Sequence, residues 1–117
     1  MKQTVSIKEN HVFRRLYSKG KSAASPYLAI YVRRNGRNHD RLGITVSTKI
    51  GKAVVRNKVR RRIREAYRIH EDELYPGWDI VIVARVRAAH GTFAALEKSF
   101  LVLSDKLGVR KRKDAGQ

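Results

Sequence analysis

Apolar residues recur at helical spacing in three stretches of this chain and alternate or run together in three others. The first helical stretch is roughly Lys8–Ser18, where Val12, Phe13, Leu16 and Tyr17 recur three and four apart and Gly20 predicts the stop. Ser6 and Glu9 are spaced as a capping box, with Asn10 a competing cap. Phe13 and Tyr17, four apart, share a helix face. Lys21–Ala24 predicts a short extended piece, and Ser25-Pro26 turns the chain. Tyr27–Arg33 alternates, with Leu28, Ile30 and Val32 on one side and Tyr27, Ala29 and Tyr31 on the other. Arg34–Asp40, containing Asn35-Gly36, predicts a hairpin loop. Arg41–Ser47 then sets Leu42, Ile44 and Val46 against Gly43, Thr45 and Ser47. Paired antiparallel, these strands bury an aliphatic face and leave a face of tyrosines, small residues and hydroxyls. Such a face is open enough for single-stranded bases to stack on it; spacing alone fits a solvated or helix-covered face equally well.

The second helical stretch, Lys52–Arg68, reads KAVVRNKVRRRIREAYR. Val55, Val59, Ile63, Ala66 and Tyr67 gather on one arc, and Asn57, Arg60, Arg61, Arg64 and Arg68 gather opposite. Before it, Thr48-Lys49-Ile50-Gly51 forms a basic turn that places Lys49 and Lys52 beside the helix N-terminus, where backbone N–H groups also attract anions. Glu71–Pro76 reverses the charge, and Pro76-Gly77 breaks the chain. Trp78–Ala84 (WDIVIVA) is a continuous apolar run, the pattern of a strand buried on both faces. Arg85–His90 reads as loop. Thr92 caps a last helix whose stripe is Phe93, Leu96, Phe100, Leu103 and Leu107. The predicted order is α-β-β-β-α-β-α. Helices packed on one side of a small mixed sheet make an α+β two-layer sandwich, with the third and fourth strands parallel across a helical crossover. One domain is expected over 1–109 and a disordered basic tail over 110–117.

Charge turns this outline toward a partner. In 117 residues, 27 Lys and Arg against 10 Asp and Glu leave a formal charge of +17. A field of that size favours nucleic acid or an anionic membrane, and no apolar run approaches the roughly 20 residues that span a bilayer. There is no cysteine, and the opening Met-Lys-Gln-Thr-Val has no signal-peptide core, so a cytoplasmic protein is expected. The cations concentrate on Lys52–Arg68, where eight residues are Lys or Arg and only Glu65 is acidic. A solvated face normally mixes signs; this one repels itself unless a polyanion neutralises it.

Catalytic chemistry within the chain has little support. His11, His39, His70 and His90 form no ligand-spaced pair, and Asp40, Glu65 and Asp79 are isolated from one another. His70 is expected to be packed or partly exposed, and Asp79 to reach a basic side chain. Gly36, Gly43 and Gly51 suit turns or close approaches rather than a phosphate loop.

KIGKAVVRNKVRRRIREAYR, preceded by RLGITVS, followed by WDIVIVAR and introduced by ENHVFRRLYSKGKS, resembles the protein subunit of bacterial ribonuclease P from about Lys8 to Leu107. The resemblance implies an auxiliary subunit of a ribonucleoprotein endoribonuclease. Catalysis would belong to an RNA, with removal of the 5′ leader from precursor tRNA as the activity. It implies a cytoplasmic protein, one per catalytic RNA, with no DNA or membrane partner, and Mg²⁺ held mainly by the RNA, with at most an indirect ion near Asn57. It puts Phe13, Tyr17, Tyr31, Ser47, Lys49, Lys52, Arg56 and Asn57 around a cleft for the single-stranded leader. It directs Lys58, Arg60, Arg61, Arg64 and Arg68 at the catalytic RNA. Lys58 departs from the arginine of the family motif, keeping the charge without the planar fork. The fold implied is the ribosomal protein S5 domain 2-like one, with a left-handed β-α-β crossover against the usual preference.

Two other classes compete on composition. A structural rRNA-binding ribosomal protein shares the charge and size but gives the aromatic face little purpose. A DNA-binding module would want base-reading Asn or Gln along the basic helix, and Asn57 stands alone.

Overall fold

In the computed structural model, which describes residues 3–111, the chain runs β1 (Val5–Ser6), α1 (Asn10–Lys19), β2 (Lys21–Ala24), β3 (Leu28–Arg34), β4 (Arg41–Thr45), α2 (Ala53–His70), β5 (Trp78–Ala84) and α3 (Phe93–Leu107). Short 3-10 turns at Thr48–Ile50, Glu71–Glu73 and Val86–His90 join them; the last replaces the loop expected at Arg85–His90.

β5 decides the sheet. Ile80, Val81 and Ile82 are fully buried, so this strand needs cover on both faces and a partner on both edges. It receives them in a mixed five-stranded sheet of order β1-β4-β5-β3-β2. β4 and β5 pair in parallel across α2, as the crossover predicts, and β3 pairs antiparallel with β5 along its whole length.

The expected β3–β4 hairpin is therefore not formed: β5 lies between those strands. The Asn35-Gly36 signal belongs to a longer connection that passes over the start of β5. Asn35 N–H donates to the Gly77 carbonyl at 2.9 Å, and the Trp78 N–H donates to the Asp40 carboxylate at 2.8 Å. Asp40 is buried there, and that burial pushes its pKa up.

α2 and α3 cover one sheet face. Val59, Ile63 and Tyr67 from α2 and Leu96, Phe100 and Leu103 from α3 bury with Leu28, Ile30, Val32, Ile80 and Ile82. Val55, expected on this arc, is only half-buried at the first turn. α1 corrects the expectation of helices on one side alone. Its Val12 and Leu16 bury with Ile7 and Val81 on the opposite face. α1 begins at Asn10 after Glu9, and neither predicted cap makes a side-chain bond at its start. Gly20 ends it by close approach: a Cβ there would sit 2.6 Å from the Leu16 carbonyl oxygen and 2.8 Å from that of Val32. Thr92 caps α3 as expected, its hydroxyl accepting from Ala95 N–H at 3.1 Å.

Arg110, the first residue of the expected tail, takes part in the fold. Arg110 forms a β-bridge with Leu74, and its guanidinium binds Glu73 at 2.8 Å and Asp105 at 3.1 Å. The rest of that predicted tail, 112–117, lies outside the described residues.

Candidate nucleic-acid interface

Strand register arranges the face carrying α1 into three cross-strand rows. Arg33, Asp79 and Arg41 form the first; Ser22, Tyr31, Val81 and Gly43 the second; Ala24, Ala29, Val83 and Thr45 the third. α1 sits over the second row. The Phe13 ring fills the space above Gly43, where any side chain would collide with it, and Val12 and Leu16 seal Val81. The third row stays open, with a floor of small and half-buried residues.

Two tyrosines make the wall of that opening. Tyr17, 42% exposed, meets Tyr31 edge to face, with ring centroids 4.9 Å apart at 83°. Its hydroxyl shares a 3.3 Å hydrogen bond with Thr45. The contact fixes both rings beside the row without covering it. Phe13, Tyr17 and Tyr31 are thus brought together on this face, though the three differ in availability. Phe13 and Tyr31 are half-buried, and Tyr17 is exposed.

The basic turn follows directly from the Thr45 end of the row. Ser47 caps the 3-10 turn, its hydroxyl accepting from Lys49 N–H at 3.2 Å, and leaves Lys49 and Lys52 exposed ahead of α2. Arg56 is half-buried, its Nε donating to the Gly51 carbonyl at 3.2 Å, and Asn57 is exposed beside it. These side chains form one cationic stretch between the open row and the helix.

Docking α2 by Val59, Ile63, Ala66 and Tyr67 turns its other side outward. Lys58, Arg61, Arg64 and Arg68 are exposed, and Arg60 is half-buried with Nη1 donating to Asn57 Oδ1 at 3.4 Å. Among the described residues, only Arg68 of this set has a carboxylate partner, binding Glu65 one turn back through two bonds of 2.8 and 2.6 Å. Arg68 is therefore partly satisfied within the helix, unlike Arg61 and Arg64. Arg60 and Arg64 also border a small pocket with Phe13 at the β4 edge, so the cationic face and the aromatic wall meet there. Arg62, not predicted as a site residue, donates to the Gly91 carbonyl at 2.8 Å and ties α2 to the approach of α3. Its place between Arg61 and Ile63, near the edge of the apolar arc, is the one sequence signal of that role.

The other ionisable groups serve the scaffold. Asp79 accepts from Arg41 Nε and Nη2 at 2.7 and 2.6 Å and from Asn35 Nδ2 at 3.1 Å, which meets the expectation of a basic partner. His70 joins Glu73 and Glu97, linking α2 to α3 and, through Arg110, to the C-terminal segment. Burial works against the imidazolium, but the two carboxylate bonds outweigh it and raise the pKa above the ordinary histidine value. Among the described residues, no group of three or more His, Cys, Asp or Glu is placed to hold a metal ion. No helix among them is long and apolar enough to cross a membrane.

The family model described as Ribonuclease P matches residues 1–108. The ribonuclease P protein component of Clostridioides difficile is 48% identical over 98 residues, covering 83% of this chain and 86% of that protein. The one from Alkaliphilus oremlandii is 38% identical over 109 residues, covering 93% and 96%. Among solved structures, the RNase P protein of Staphylococcus aureus superposes with a TM-score of 0.83 at 36% identity, covering 91% of this chain and 97% of that one. The RNase P protein of Thermotoga maritima gives 0.76 at 30% identity, covering 87% and 94%.

Proposed function

The chain belongs to the family of bacterial ribonuclease P protein components, and from that premise we propose how its surfaces divide the work of a ribonuclease P subunit. The exposed face of α2 holds the ribonuclease P RNA through Lys58, Arg60, Arg61 and Arg64, with Arg68 a lesser contact. The open row beside Tyr17 and Tyr31 receives the single-stranded 5′ leader of precursor tRNA, with Phe13 supporting the wall. Ser47, Lys49, Lys52, Arg56 and Asn57 follow the leader backbone between the two.

One observation carries this division. Cations without carboxylate partners stand on a docked helix, and the cationic turn before it leads to a shallow row of small residues walled by two tyrosines. Phosphates neutralise the first, and unpaired bases stack against the second, each stacked base contributing about 1–3 kcal/mol with little regard to sequence. A structural rRNA-binding role would use the helix and leave the row idle.

Hydrolysis of the leader phosphodiester is assigned to the RNA partner, since the ionisable groups described above are engaged in the scaffold. Mg²⁺ belongs with RNA phosphates too. Asn57 offers one carbonyl oxygen among Arg56, Lys58, Arg60 and Arg61, and that oxygen faces Arg60. A divalent cation would be repelled there, so these residues do not suit a protein-held ion.

The test is reconstitution with the cognate ribonuclease P RNA at low Mg²⁺, scoring release of the leader. The chain is expected to restore cleavage that the RNA performs poorly alone. No stimulation at any protein concentration would overturn the division.

A further inference from the structure

On the other side of α1 from the open row lies a second concentration of positive charge, unconnected with α2. The first cross-strand row and the neighbouring loop bring Arg33, Arg34, Arg37 and Arg41 together, and α1 adds Arg15; with Asp79 they line a cavity of about 270 Å³ floored by Val12 and Leu16. Arg15, Arg33, Arg37 and Arg41 face one carboxylate, while the Arg34 guanidinium turns to the opposite side of the sheet over Trp78. That carboxylate is already engaged, both oxygens taken by Arg41 and one also by Asn35. Arg34 lies 5.1 Å from the Trp78 ring centroid, which steadies its guanidinium without neutralising it. Among the described residues, Arg15, Arg33 and Arg37 have no carboxylate partner.

Guanidinium groups do not deprotonate near neutral pH, so their mutual repulsion is relieved only by an anion. Arg33 is half-buried and held by strand register opposite Asp79, and Arg15 is held by the docked turn of α1. The charges therefore converge on a concave site from three elements, which a freely solvated face does not do. Forked donors fixed in this way match the paired oxygens of a phosphate.

We propose that this cavity is a second phosphate-binding site for RNA, on the face of the sheet that carries the open row but beyond α1. It lies four residues up the strands from that row, a distance of about 13 Å. A loop of the larger RNA reaches it directly from solvent, and an RNA strand leaving the open row reaches it by passing over α1. The choice of RNA as the polyanion rests on the function proposed above; the presence of an anion site does not.

Full-length R15Q/R37Q and R33Q/R37Q variants test the assignment. Their affinity for ribonuclease P RNA, and for precursor tRNA with short and long leaders, is measured across a salt series. The expected result is a loss of about tenfold for at least one RNA, with the slope of log affinity against log salt shallower by about 0.7–0.9 for each phosphate contact removed. Loss confined to ribonuclease P RNA assigns the site to that molecule, and loss confined to the long leader assigns it to substrate. R15Q/R37Q alters two exposed side chains, so it decides the matter even if R33Q/R37Q folds poorly. Unchanged affinity and slope for every RNA would overturn the site. An R61Q/R64Q control separates the two proposals. If it loses affinity and R15Q/R37Q does not, only the cavity falls; if neither does, both fall.

Discussion

The ring of Phe13 rests directly on Gly43: a methyl group at residue 43 would come within 2.6 Å of Phe13 Cε1 and Cζ. Here Gly43 serves closeness rather than a turn, since a flat β4 surface lets α1 dock with Phe13 inward and Tyr17 at the rim. Gly43→Ala is expected to lift Phe13 and tilt α1, an overpacking cost of about 1–3 kcal/mol. Urea denaturation reads that cost. Affinity for leader-bearing precursor tRNA should fall further than affinity for ribonuclease P RNA, and equal falls would place Phe13 outside the leader path.

Tyr17 offers a cleaner test of the wall, because it is exposed and little of the core depends on it. Tyr17→Ala should weaken binding of precursors with leaders by about 1–3 kcal/mol if one base stacks there. Binding of mature tRNA should be unchanged. The same loss with leaderless tRNA would show that the tyrosine acts on something other than the leader. Phe13→Ala and Tyr31→Ala should follow the same pattern, with an added stability cost because both are half-buried.

Neutralising α2 should change the salt dependence of RNA binding as well as its strength. An R60Q/R61Q/R64Q variant is expected to bind ribonuclease P RNA with a log–log salt slope shallower by about 2–3, roughly one unit per lost phosphate contact. Arg68→Gln should change it less, because Glu65 already holds that guanidinium in the free protein. A larger effect at Arg68 than at Arg61 or Arg64 would mean that the ion pair opens on binding.

The His70 network should make stability depend on pH. Its carboxylate partners raise the folded-state pKa above the ordinary value of 6.5, so the contribution is complete below about pH 6.5 and is lost as pH climbs through the raised value. Glu73 has the opposite sign. Although burial opposes it, the bonds from His70 and Arg110 lower its pKa below 4.5, so its share is present above that pH and lost in acid. The melting-temperature gap between the wild-type chain and a His70→Gln variant should therefore be widest between these limits and narrow on the alkaline side. A gap that is flat from pH 6 to 9 would show that His70 acts by packing alone.

Periodicity reached far into this fold where a single element decides its own structure. The docked and free arcs of Lys52–Arg68 follow from 3.6-residue spacing, and both appear as predicted apart from half-buried Val55 at the first turn and half-buried Arg60 on the outward side. The both-sided burial of Trp78–Ala84 follows from its unbroken apolar run. Spacing could not say which strand stands beside which. Asn35-Gly36 between two alternating runs favours a hairpin locally, yet β5 gains more by burying both edges than β3 and β4 gain by pairing with each other. Once β5 is inserted, Thr45 lines up with Val83 and Ala29, and Arg33 with Asp79 and Arg41. The open row and the arginine cavity both result from that insertion.

The amino-acid sequence alone determined the charge, the basic helix with its outward arginines, the aromatic pair four residues apart and the family likeness, because each is written in neighbouring residues. Only the tertiary structure decided which face α1 covers, which tyrosine stays exposed, and which arginines have a carboxylate within reach. Those depend on contacts between residues such as Phe13 and Gly43, or Asp79 and Arg41, which lie thirty or more positions apart and meet only when the strands are in register.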